Sequence, residues 1–156
     1  MMAEAGGSEI PGAAAAHPTD MWSGYPAARE RILSHIADRG IVNPVVLTGD
    51  IHSSWANDLR LDPDDFAAAP IATEYVCTSI TAGGTKPADY VAPLAATYPH
   101  FKLADPRHGG YCAATLTVDR WTTEFFLVDN MEDAESGVAS FATFETEAGV
   151  PGTNPA

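Results

Sequence analysis

Positive charge is scarce in this chain. Lysine and arginine number 8 against 21 aspartates and glutamates in 156 residues, a formal net charge of −13. A surface of that sign repels a phosphate backbone, so duplex nucleic acid is not expected as a partner. A small phosphorylated substrate remains allowed, because cations bound in a site reverse the local field. Cysteine is nearly absent: Cys77 and Cys112 stand alone, without metal-ligand spacing. Both lie in strand-like runs and read as small buried hydrophobes, with a disulfide open if those strands are neighbours. No apolar run reaches about 18 residues, so no membrane-spanning helix and no membrane partner are expected. The start, Met1-Met2-Ala3-Glu4, has neither the positive region nor the apolar core of a signal peptide, and Ala13–Ala16 is too short to supply one. The compartment stays open.

What is present is enough to fold. Hydrophobic residues make up 46% and charged residues 19%, which suits one domain with a single core. Residues 1–19 are rich in Ala, Gly and Pro without periodicity and read as a disordered lead-in. From Tyr25 to Arg39 the pattern is helical. Ala28, Ile32 and Ile36 recur at four-residue spacing, Leu33 and Ala37 widen the stripe, and Arg29, Glu30, Arg31, Asp38 and Arg39 take the other face. Ser23 is a candidate cap, Pro26 suits the first turn, and Gly40 ends the helix.

The most informative segment follows. Val45-Val46-Leu47-Thr48 reads as a buried strand, and it ends abruptly in Gly49-Asp50-Ile51-His52. A carboxylate and an imidazole two residues apart, on a turn held by a rigid strand, can point at one ion or at neighbouring ions. Helix, short loop and buried strand make α/β organisation, which places this loop at a sheet's carboxyl edge, where open sheets carry their chemistry. The plainer alternative is a strand-end turn in which the aspartate bonds its own backbone.

Further on, Leu61–Asp65 is a polar loop. Ala72–Ile80 reads as a second strand ending in Thr81-Ala82-Gly83-Gly84, where glycine lets backbone approach a ligand closely or simply turns the chain. Residues 86–99 are irregular or a short helix. Tyr111–Val118 and Trp121–Val128 form a hairpin across Asp119-Arg120, and Val138–Thr146 adds an edge strand. Residues 147–156 read as a loose tail. Trp55 packs over the strand end. His17 and His35 read as solvated. His100 and His108 are either loop histidines or site residues, and Arg107 either grips phosphate or pairs with Asp105. Ser53 and Ser54 show no base-and-orienter arrangement that would make either a nucleophile.

The ordered series Met21–Arg31, Val45–Trp55, Glu74–Gly84, Pro99-His100 and Arg107-His108-Gly109-Gly110-Tyr111 resembles the PhoD-like alkaline phosphatase family of metallophosphoesterases over about residues 20–146. The resemblance implies an α/β fold: a mixed sheet with flanking helices, forming the second half of an α/β/β/α sandwich. It implies hydrolysis of phosphate mono- and diesters by metal-activated water, with calcium and iron as the metals and a phosphate ester as the substrate. Asp50 and His52 would be metal ligands, with Asp50 in place of the first histidine of the superfamily's Gly-His-x-His motif. His100 and His108 would stabilise the transition state or protonate the leaving alkoxide. Arg107, Gly83 and Gly84 would contact substrate. Family members are often exported. The family's Gly-Asp-x-x-Tyr and Gly-Asn-His type motifs, which supply most of its metal ligands, do not occur here. The chain is therefore expected to correspond to the C-terminal part of such an enzyme, with weak metal affinity and little hydrolysis by itself. A non-catalytic metal- or phosphate-binding module keeping the second half of the fold is the alternative. Association with a missing N-terminal half, or self-association through an uncovered apolar face, is also expected.

Overall fold

The structure is a computed structural model describing residues 21–82 and 88–156. The lead-in assigned to residues 1–19 lies outside those residues, as do Gly83 and Gly84.

A 3-10 turn at Trp22–Gly24 leads into helix α1, Pro26–Asp38. Pro26 stands at the helix start as expected. Ser23 lies within the preceding turn, and Tyr25 occupies the cap position with no side-chain cap bond. Gly40 follows the helix at φ +59°, a conformation glycine adopts without a Cβ penalty. The buried side of α1 differs from the expected stripe. Leu33 is buried and Ile36 packs beside it, but Ile32 and Ala37 are exposed, and Arg29 is buried. The Arg29 guanidinium donates to the carbonyls of Arg60 at 3.0 Å and Leu61 at 3.2 Å, so a charge assigned to the solvent face instead anchors the loop after a strand.

Four strands form the first sheet: β1 Val45–Thr48, β2 Ser54–Leu59, β3 Ala72–Val76 and β4 Phe101–Asp105, in the order β1-β3-β2-β4. β1 runs parallel to β3, while β2 is antiparallel to both β3 and β4. β1 therefore stands at an edge with Leu47 60% exposed, which corrects its reading as a buried strand. β2 and β4 were not anticipated. Trp55 lies inside β2, only 1% exposed, and packs edge-on against Phe101 at 5.4 Å. Helix α2 occupies Ala88–Thr97.

Four further strands make the second sheet, wholly antiparallel: β5 Gly110–Leu116, β6 Arg120–Val128, β7 Val138–Glu147 and β8 Asn154–Pro155, in chain order. The hairpin expected between β5 and β6 is there, but three residues connect the strands. The Thr117 hydroxyl oxygen accepts from the Arg120 amide at 3.0 Å and closes the turn. β7 is not an edge strand over its whole length, because β8 pairs with Phe144 and Glu145. The terminal residues are likewise not loose. Thr153 is 2% exposed, donates its amide to Asp58 Oδ1 at 2.9 Å and shares a hydroxyl bond with Tyr75 at 2.7 Å.

The layers follow from the alternation of side chains along the strands. One face of the first sheet, with Trp55, Leu59, Ala72 and Val76, packs against Leu33 of α1 and Leu94 and Tyr98 at and after α2. The opposite face, with Ala56 and Tyr75, packs against Phe125 and Phe144 of the second sheet. Helices, sheet, sheet: these are three layers of the expected sandwich, and among the described residues no helix covers the outer face of the second sheet.

Candidate active site at the carboxyl end of the first sheet

β1, β3 and β4 all finish at one end of the first sheet, while β2 starts there. Ser54 pairs with Asp105, and Thr48 with Val76. The turn after β1 therefore carries Asp50 and His52 to the same edge as the turn after β4, which carries Arg107 and His108. The stretch after β3 holds the two turns together. The Cys77 amide donates to the Thr48 carbonyl at 2.9 Å, and the Thr78 hydroxyl donates to the His108 carbonyl at 3.1 Å.

Backbone conformation singles out the first turn. Asp50 has φ +69° and His52 φ +55°, so two of the five residues linking β1 to β2 are non-glycine residues in the left-handed region, which among the described non-glycine residues only Asn43 at φ +60° also adopts. Each such residue costs on the order of 1 kcal/mol, and strained positions of this kind concentrate where a binding geometry has been kept at the expense of stability. Asp50 is exposed and His52 half-buried. The turn is held from below: Ser53 is fully buried, and its hydroxyl oxygen accepts the Trp55 indole N–H at 2.7 Å. That bond gives Ser53 a structural task.

The second turn is organised by Asp105, which the sequence offered only as a surface partner of Arg107. Asp105 is a buried carboxylate at the end of β4 that gathers the turn around itself. Its Oδ1 accepts the Arg107 amide at 3.4 Å, its Oδ2 accepts the His108 amide at 3.2 Å, and the two oxygens lie 3.1 and 3.0 Å from His108 Nδ1. Asp105 thus binds the backbone of Arg107 and pairs with His108 rather than with the Arg107 side chain, the plainer of the two alternatives for that arginine. A carboxylate on Nδ1 fixes that nitrogen as the donor and leaves Nε2 free to act on a ligand. The His108 side chain is 44% exposed and that of Asp105 8%, so a wet imidazole is oriented by a dry carboxylate. The visible signal was Asp105-Pro106-Arg107-His108, an Asx-turn spacing in which an aspartate reaches amides two and three residues on.

His100 does not join this cluster. It precedes β4 at the opposite end of the sheet, five residues before Asp105. It is 2% exposed and packs against Phe101 with ring centroids 4.4 Å apart and Tyr98 at 5.6 Å. Its carbonyl accepts the Asp58 amide at 2.9 Å. A histidine so enclosed cannot exchange a proton with a substrate at the other edge.

Calcium and iron fit the donors of the first turn in kind: a hard carboxylate suits either, and an imidazole suits iron. They do not fit in number. Among the described residues no three His, Cys, Asp or Glu side chains stand close enough to hold an ion, whereas calcium takes about six to eight oxygen ligands. Asp50 and His52 are at most part of a coordination sphere.

A mixed α/β sandwich with two acids, two imidazoles and an arginine on its carboxyl edge has the architecture of a phosphoesterase-like fold. The model of the PhoD-like phosphatase family matches residues 1–125, and the chain belongs to that family. It is 34% identical over 128 residues to alkaline phosphatase D of Bacillus subtilis (strain 168), a match covering 80% of this chain and 22% of that protein. A solved structure described as that of PhoD superposes with a TM-score of 0.79 at 31% identity, covering 87% of this chain and 26% of its own. The chain thus spans about a quarter or less of the length of these relatives.

Proposed function

We propose that this chain furnishes one wall of a metal-dependent phosphate-ester hydrolase site. Asp50 and His52 are its metal donors, His108 faces the substrate with Asp105 as its positioning residue, and Arg107 grips phosphate. The observation that carries this reading is the pair of left-handed residues, Asp50 and His52, on the open carboxyl edge of the sheet. A bound metal would acidify a water and neutralise phosphate oxygens. The residues of this chain would orient the ester: the Arg107 fork matches two phosphate oxygens, and His108 Nε2 is placed to give a proton to a departing alkoxide. The donors still needed belong to the parts of the relatives that this chain does not span. This follows from hard-cation coordination numbers set against two available ligands.

The test is calcium and ferrous-iron titration by calorimetry, paired with hydrolysis of p-nitrophenyl phosphate, for the chain and its Asp50→Ala/His52→Ala variant. Expected are weak binding that the double variant loses and turnover no faster than that variant's. Equal metal binding by the two proteins would remove Asp50 and His52 from the role. Metal-dependent turnover lost in the variant would show a complete site within this chain and overturn the one-wall reading.

A further inference from the structure

The two cysteines, 35 positions apart in sequence, come together in space. β5 is the edge strand of the second sheet, so the side of its backbone facing away from β6 is open to a partner. The segment after β3 takes that place in antiparallel sense. The Gly110 amide donates to the Ser79 carbonyl at 3.0 Å, and a side chain on Gly109 would press on the Ile80 carbonyl at 3.1 Å. One further alternation along each chain sets Cys77 opposite Cys112. Their thiols hydrogen-bond to each other, and the Cys112 amide also reaches the Cys77 sulfur. Opposed residues of antiparallel chains have Cα atoms about 4.5–5.5 Å apart, inside the ~4.4–6.8 Å that a disulfide spans. Both cysteines are free and half-buried, so a small oxidant can reach them.

We propose that Cys77 and Cys112 form an oxidation-closable staple between the two sheets, taking low-molecular-weight disulfides such as oxidised glutathione as co-reactant. The Cys77 thiolate attacks one sulfur of the glutathione disulfide, breaks its S–S bond and releases one glutathione thiolate. The Cys112 sulfur, losing its proton to solvent, then attacks Cys77 and expels the second glutathione. Two protein thiols are oxidised, one small disulfide is reduced, and two reduced glutathiones leave. The order follows from the contact itself. The Cys112 thiol and amide bonding to Cys77 hold its thiol down to about 6, whereas the neighbouring Cys77 and burial push Cys112 up. The staple sits beside the candidate site, since the Cys77 amide is bonded to Thr48, two residues before Asp50.

The experiment treats the reduced full chain with oxidised glutathione, followed by intact mass and a non-reducing tryptic map. Lys102 and Arg107 lie between the cysteines, so trypsin separates them into different peptides. Expected is a loss of two hydrogens with the Cys77 and Cys112 peptides linked. The internally linked form should exceed the glutathionylated one at least ~10-fold, as an intramolecular second step requires. The linked chain should melt about 5–10 °C higher. In Cys112→Ser the reaction should stop at glutathione on Cys77, which also shows that this variant's folded surface still reacts. Adducts without an internal link, disulfide-linked dimers, or thiols that react only in urea would each overturn the proposal.

Discussion

The two ends of the first sheet use the same residue types to opposite effect. At the carboxyl end, His108 is 44% exposed and gripped by Asp105, and Asp50 and His52 sit in left-handed conformations on an open turn. At the other end, His100 is enclosed by aromatic rings, and Asp58 is bonded to Thr153 and to Lys102 at 3.2 Å with its side chain 5% exposed. One end is open to water, the other dry. Residue type therefore says little about role; access and partners decide it. The two histidines divide accordingly, His108 oriented on an open turn and His100 packed among aromatic rings.

Substitutions can break this contrast, and the closed end should feel them most. His100→Ala removes a buried ring from between Tyr98 and Phe101 and is expected to lower unfolding stability by about 2–4 kcal/mol in urea titration. The matching His108→Ala should cost no more than about 0.5–1 kcal/mol, because that ring is nearly half exposed and fills no enclosed space. Equal losses would erase the distinction between the two ends. Next in size is Asp58→Ala, which leaves the Thr153 amide and Lys102 without their acceptor and should cost about 2–3 kcal/mol. The terminal strand β8 should become exchange-labile in the same variant, a change visible by hydrogen exchange.

The open end should respond in the other direction. Asp50→Gly removes a left-handed non-glycine residue and is expected to stabilise the fold by about 0.5–1 kcal/mol while metal binding is lost. A destabilised Asp50→Gly variant would show that no strain is held in that turn. The smallest effect concerns Cys77 alone. Its lowered value means the reactive thiolate forms as pH rises through about 6, so alkylation should climb across that range and level off above it. In Cys112→Ala the midpoint should move up towards the ordinary thiol range near ~8.5. An unmoved midpoint would separate the two thiols.

The sequence made the open end legible and the closed end almost invisible, and the reason is physical. Gly49-Asp50-Ile51-His52 interrupts a hydrophobic run, and a break in pattern is what periodicity detects. Ser54-Trp55-Ala56-Asn57-Asp58-Leu59 has no such contrast, yet it is a fully buried strand. Its polar members bond across strands and between sheets: Asn57 donates to the Glu74 carboxylate at 2.9 Å while its Oδ1 stays without a partner, and Asp58 accepts from Thr153. Arg29 was misplaced for the same reason, since a pattern of charges cannot reveal carbonyls from a distant loop. β4 was hidden because its partner β2 was hidden. Asp105 was legible only as a surface partner for Arg107, and only the fold shows that its carboxylate holds His108.

The most direct test of the central contrast is paramagnetic broadening of amide resonances during titration of the labelled chain with manganese. The expected result is broadening centred on residues 49–53, extending to 77–80 and 105–109, with the amides around Asp58 and His100 unaffected and the effect gone in Asp50→Ala/His52→Ala. Broadening centred instead on the exposed acidic loop at 62–65, or reaching His100 as strongly as His108, would contradict the account.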